Sequence, residues 1–292
     1  MKAIKLASVF AVTAVAAAVS TVTFAAEPVI TGTAGMEYVS FGDSNTGSSL
    51  SGNSNGELNL VVNTGVVFAQ IEFKTTNEDE TNKKADEATK INIEKIYVTQ
   101  GAVKFGRFDG SVSTGSFMGM DEIKSGVDLA TTTDTDSTGV RYEVTPELTV
   151  ALEATEATGN VDSDIGVAAS YVMDFGGFKA GISGGSVGDA TAANIGVQAV
   201  AGPATLSLNY GTGEAGATGA TDVELMTASV ALAATDALTL TLEYSQDLET
   251  AGEPDGTYFI GAYAAGDLTY YVKNYAGDLT VERTVVGVKA AF

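Results

Sequence analysis

The 292-residue chain contains no histidine and no cysteine. A Ser-His-Asp triad, a His general base and a His- or Cys-ligated metal site are therefore all excluded. No disulfide can brace it either, so whatever the chain builds must close by other means. Tryptophan is absent, and there are only four prolines. Basic residues are scarce, 15 Lys and Arg against 37 Asp and Glu, for a formal net charge of −22. That balance argues against nucleic acid as a partner. Beyond the N-terminal segment no run is long and apolar enough for a spanning helix. Carboxylate-only or Ser-Lys chemistry survives these exclusions, but no motif points to it; neither an enzyme nor a bound cofactor or metal is expected.

Residues 1–25 read as a secretory signal peptide. Lys2 and Lys5 supply the positive start, Val9 to Val19 the small apolar core, and a cut after Ala25 places Thr23 and Ala25 at the small-residue positions. Cleavage removes two lysines and no acid, taking the formal charge from −22 to −24. The mature region, residues 26–292, reads as one domain.

That region is dominated by a period of two. In ALTLTLEYS (237–245), Leu238, Leu240, Leu242 and Tyr244 alternate with Thr239, Thr241, Glu243 and Ser245, the pattern of a strand with one apolar and one polar face. The first strand is Val29 to Phe41, with Ile30, Ala34, Met36 and Tyr38 on one face. After a Ser/Gly/Asn-rich loop (42–56), Leu58, Leu60 and Val62 alternate with asparagines. A turn at Gly65 leads to Val67, Ala69, Ile71 and Phe73, with Gln70, Glu72 and Lys74 opposite. The fourth strand, Lys90 to Thr99, has mixed alternation that suggests a bulge. AVKFGRFDG is the fifth. Residues 108–137 are irregular, and apolar in places (Phe117, Met118, Met120, Ile123), unlike a simple outer loop. GVRYEV and LTVALEA follow, then four more hairpins and the final strand LTVERTVVGVKAAF.

This makes sixteen strands, with fourteen as the other possibility. Tight links near Gly65, Gly101, Pro146, Gly176, Pro203, Asp236 and Gly266 follow every even strand, and longer polar links follow odd ones, though the last, near Ala276, is short. Such parity is what an even, closed antiparallel barrel requires in a membrane, its apolar face toward lipid and its polar face toward a lumen. The expected fold class is therefore an all-β transmembrane β-barrel. Tyr38, Tyr142, Tyr171, Tyr210, Tyr244 and Tyr270 on the apolar face read as girdle residues.

Three segments resemble the Gram-negative general porins: VKFGRFDG (103–110), TGVRYEV (138–144), and the last strand, where Val286, Val288, Ala290 and Phe292 share a face and are similar to the family's assembly signal. The resemblance implies a cell-outer-membrane homotrimer of water-filled pores in contact with the lipid bilayer and lipopolysaccharide. It also implies delivery by the outer-membrane insertion machinery and a third outer loop folded into each lumen. That loop is about residues 108–137, carrying Asp109, Asp121, Glu122, Lys124 and Asp128. The cationic wall facing it maps to Arg107 and Arg141, with Glu143 beside them. The family's Pro-Glu-Phe-Gly-Gly stretch is missing, replaced by SFMGMDEIKSG, and three arginines cannot build a dense arginine ladder.

The function these features imply is passive diffusion of small hydrophilic solutes and ions, with a weak cation preference expected from the net charge. Alternation places Glu72, Lys74, Glu143, Glu153, Lys179, Glu243, Lys273 and Lys289 in the lumen. An inward set Tyr271, Tyr275, Phe259 and Tyr263 would instead suit a sugar slide in a substrate-specific channel. An adhesion or structural barrel is a further alternative. The segment DTDSTG (Asp134, Asp136, Gly139) lacks the distal Glu of a calcium loop and reads as solvated loop.

Overall fold

The computed structural model describes residues 28–42, 47–51, 56–76, 88–115, 118, 122–124, 126–129, 138–155, 162–215 and 221–292. The signal-peptide segment, Asp121, Asp134 and Asp136 lie outside them. Sixteen strands form one antiparallel sheet. They are β1 (Val29–Phe41), β2 (Glu57–Asn63), β3 (Val67–Thr76), β4 (Ala88–Gln100), β5 (Val103–Arg107), β6 (Thr138–Glu143), β7 (Leu148–Ala154) and β8 (Ile165–Asp174) in the first half. The second half comprises β9 (Phe178–Val187), β10 (Ala190–Ala201), β11 (Ala204–Ala215), β12 (Thr221–Ala233), β13 (Leu238–Asp247), β14 (Asp255–Ala265), β15 (Leu268–Gly277) and β16 (Arg283–Ala291). A short segment, Ser49–Ser51, pairs with the upper part of β1 beyond β2.

Each strand pairs with its sequence neighbour, and β16 pairs with β1 from Thr33↔Ala291 to Phe41↔Arg283. Reciprocal backbone hydrogen bonds between Gly32 and Phe292, at 2.9 and 3.0 Å, extend that seam. The sheet is thus a closed barrel without an edge.

Local chemistry explains the hairpins. Gly101, Gly202 and Gly266 open two-residue links with φ near +60°, the conformation a tight primed turn needs at its first central position. Thr145 and Thr235 use their hydroxyls instead, accepting from the amides of Leu148 and Leu238 at 3.1 and 3.0 Å. The parity of short and long links has one exception. Gly188-Asp189 joins β9 to β10, an odd-numbered link, and is as tight as any even one. The expected bulge lies in β4: Gln70 pairs Lys95 while Ile71 pairs Ile93, leaving Glu94 as the extra residue. It moves the outward set from Ile91 and Ile93 to Ile96.

The outer surface carries the apolar set, including Ile30, Met36, Tyr38, Leu206, Leu208, Leu242, Tyr270 and Val286. Val286, Val288 and Ala290 sit on this face opposite Tyr38, Met36 and Ala34. The parity expected for β14 is corrected. Phe259 and Tyr263 pair with Leu242 and Leu238 and point outward, 38% and 51% exposed. Tyr258 points inward from that strand and is 1% exposed. The segment Tyr258-Phe259-Ile260 is apolar on both faces, so alternation alone could not set its phase.

Leu208 lies mid-strand on the outer face, paired with Val197 and Ala228. Leu208→Arg is expected to destabilise the barrel by about 2–4 kcal/mol in lipid. Urea titration of vesicle-refolded protein measures this. A much smaller loss would mean the outer face does not meet hydrocarbon.

Candidate functional site: the inward loop and the lumen wall

The barrel's buried residues cluster where the segment after β5 lies against the inner wall. Val112, Val127 and Leu129 pack on Ala151, Ala168, Val187, Ala190 and Ala192. Farther along, Ile123 packs against Tyr258, Tyr271, Tyr275 and Val285. Between these seams the wall is stripped of bulk: a Cβ at Gly196 would lie 2.8 Å from Met118, and one at Gly211 would lie 2.5 Å from the Val127 nitrogen. Small inward residues on β9–β11 are the footprint of the loop.

Polar anchors complete the attachment. Two carboxylates accept the loop's backbone amides. Glu153 on β7 receives Val112 N–H at 2.8 Å and the Ser111 hydroxyl at 2.6 Å. Glu243 on β13 receives Glu122 and Ile123 N–H at 3.1 and 2.9 Å. These carboxylates are 3% and 0% exposed, so they are loop anchors and do not line open water, correcting their expected place in the lumen. Between them, Ser183 on β9 donates to Thr114 O at 2.9 Å. Asn194 on β10 exchanges two bonds with Val127, at 2.8 and 2.7 Å. Asn209 on β11 donates to Met118 O. Thr227 and Ser245, on β12 and β13, both donate to Lys124 O, the latter at 3.1 Å. The tip ends at β15, where Tyr275 donates to the Glu122 carboxylate. The loop is a tongue that runs out along the wall and returns, with Leu129 N bonded to Ser113 O at 3.1 Å.

At the root of the tongue, Arg141 on β6 donates to Gly110 O at 2.5 Å and stacks over the Phe108 ring at 4.1 Å. Asp109 pairs with Lys95 on β4 at 3.0 Å, and Glu143 with Lys104 on β5 at 2.5 Å. These five charged residues line one cavity of about 340 Å³ together with Phe108, Tyr97 and Val112. Bases and acids therefore meet in pairs along the lining of this cavity.

The structure brings Asp109, Arg141 and Glu143 together at this cavity and places Glu122 far along the tongue, 3.8 Å from Lys273. Lys124 contributes its backbone carbonyl and leaves its side chain exposed; Asp128 is also exposed. Arg107 does not join the cavity. It is in register with Ile96 and Thr138, out of phase with the inward Tyr97 and Lys104, and Ile96 is an outward residue. Lys95, Lys104 and the two buried glutamates were not among the expected constriction residues. The alternating glutamates in LTVALEA and LTLTLEYS were the available signal for two of them.

The sequence matches no protein-family model and no curated relative. Solved structures with the same architecture include a loop-L8 deletion mutant of OmpT, an outer membrane protein of Vibrio cholerae, at 14% identity, covering 91% of this chain and 99% of that one, with a TM-score of 0.64. The outer membrane channel DcaP of Acinetobacter baumannii is similar at 14% identity, covering 93% of this chain and 100% of that one, with a TM-score of 0.61. A triple mutant of the Rhodopseudomonas blastica porin is similar at 14% identity, covering 91% and 100%, with a TM-score of 0.61. At these identities the likeness is one of fold.

Glu243→Ala would leave two partly buried amides without their acceptor, a cost of about 1–3 kcal/mol. The expected outcome is a barrel that still closes but whose loop tip is cut faster by protease than in the parent protein. Unchanged cleavage would show that the carboxylate does not hold the tip.

Proposed function

We propose that this chain is an outer-membrane porin, a water-filled channel for passive diffusion of small hydrophilic solutes and ions. The observation that carries this reading is the tongue. It is fastened by hydrogen bonds along the wall from β6 to β15, inside a barrel whose sixteen strands enclose more space than side chains fill. A loop so placed narrows a passage. The similar structures bear the names porin and outer membrane channel. The barrel belongs in the outer membrane of a Gram-negative cell, where a closed sheet with an apolar exterior satisfies every backbone group.

Selection then follows bore and fixed charge. The net charge of −24 left after removal of residues 1–25 favours cations. Inside, Lys95, Lys104 and Arg141 offset Asp109 and Glu143, so the preference is weak. Residues 1–25 direct export, the face of Val286, Val288, Ala290 and Phe292 is read by the insertion machinery, lipopolysaccharide contacts the outer rim, and the working unit is a homotrimer. Phe259 and Tyr263 face outward, and Tyr271 and Tyr275 are buried beside Ile123, which favours the general channel over a sugar slide.

Planar-bilayer recording of the refolded mature protein under a salt gradient tests the reading. Conductance steps in threes, with a small reversal potential of cation-selective sign, are expected. Silence from correctly folded protein would refute the channel and favour a sealed adhesion or structural barrel.

A further inference from the structure

At the root of the tongue the wall leaves a niche between its polar anchors. Two adjacent inward rows meet there. Lys104, Arg141, Ala151 and Ala168 lie in register across β5 to β8, and the tongue covers the two alanines with Val112. Glu143, Thr149 and Ser170 form the next row toward the turns, about 7 Å away at the rise of a strand. Members of both rows line the cavity of about 340 Å³. That volume is at the small end of the range for ligand pockets.

The charges of the niche are nearly balanced, and the balance is exchangeable. Four of its five charged side chains are joined in two ion pairs, Lys95–Asp109 at 3.0 Å and Lys104–Glu143 at 2.5 Å. Lys104 and Glu143 keep 32% and 49% of their side chains exposed, so a solute can reach both. A solute bearing only a carboxylate would draw Lys104 away and leave Glu143 without a partner. One bearing only an ammonium would strand Lys104 instead. A zwitterion replaces the pair and leaves neither charge uncompensated: its ammonium takes Glu143 and its carboxylate takes Lys104. Arg141 lies in register with Lys104, held by its bond to Gly110 O and by the Phe108 ring, and adds positive potential on the carboxylate's side. Thr149 and Ser170 stand in the row of Glu143, and among the described residues neither hydroxyl has a hydrogen-bond partner. They can accept the remaining N–H groups of the ammonium. Phe108 and Val112 close the cavity on the tongue side with apolar surface, where an uncharged side chain can rest without losing a hydrogen bond.

We propose that this niche binds neutral α-amino acids, zwitterions whose side chain carries no charge, and that the barrel passes them in preference to singly charged solutes of the same size. A site that trades one ion pair for two holds its ligand weakly, and conduction needs binding weak enough for the ligand to leave. Binding stands on the niche alone. Passage rests on the channel reading, and the test separates the two.

Saturation-transfer NMR on the detergent-folded mature barrel at neutral pH compares leucine with isocaproate, which lacks the ammonium, and with isoamylamine, which lacks the carboxylate. Leucine is expected to bind at least about fivefold more tightly than either, the worth of one partly exposed charge pair. Glu143→Gln removes the acceptor of the ammonium, so leucine and isocaproate should then bind equally. Lys104→Gln should make leucine and isoamylamine equal. The comparison on the parent protein needs no variant: equal binding of all three solutes, or tighter binding of either analogue, would overturn the niche. A leucine preference that survives both substitutions would overturn it as well. In planar bilayers leucine is expected to lower potassium chloride current more than either analogue does. A silent channel that keeps the leucine preference would refute the channel and leave the niche standing; an open channel without that preference would do the reverse.

Discussion

Hydrocarbon offers no hydrogen-bond partner, so a sheet placed in it must satisfy every backbone group from its own strands. Everything else in this molecule follows from that requirement. It forces β16 back onto β1, where nine residues on each strand pair from Thr33↔Ala291 to Phe41↔Arg283. Closure then divides the side chains into two populations with different solvents. Leu242 and its neighbours need only be apolar. Glu243, one residue on, lies in a confined interior where a buried carboxylate must find donors.

The interior meets that demand with the chain's own backbone. A segment with little regular structure would carry unpaired amides if pressed against an apolar wall. Here the wall supplies carboxylates, amides and hydroxyls at the points the segment passes. Glu153 and Glu243 take amides; Asn194 takes one and gives one. Tongue and wall thus solve each other's desolvation problem. Most of these bonds join residues far apart in sequence, so the lumen's shape depends on the whole barrel and not on the loop alone.

Much of this was readable beforehand. The alternation of Leu238, Leu240, Leu242 and Tyr244 gave the right face, and the slip between Ile93 and Ile96 correctly signalled a bulge in β4. The limits were equally physical. Alternation tells which side of a sheet a residue faces, but not whether another segment covers it, so Glu153 and Glu243 read as water-facing. Phe259 and Tyr263 were assigned inward because apolar residues run through both faces of their strand. Arg107 was placed by likeness to a motif, and register with Ile96 moves it to the other row. The inward glycines 196 and 211, which mark where the tongue rests, are conspicuous only once the opposing atoms are known.

The route of the tongue also carries a history. Its root leaves β5, yet its tip bonds to Tyr275 on β15, a residue synthesised 153 positions after Glu122. Closure of the sheet reaches farther still, since Gly32 and Phe292 are 260 positions apart. Contacts of such separation require a long stretch of chain to be ordered before they form. The tip of the tongue can take its seat only once β15 is in place, and the barrel can close only once β16 is. The C-terminal strands therefore complete both the wall and the loop that lies against it.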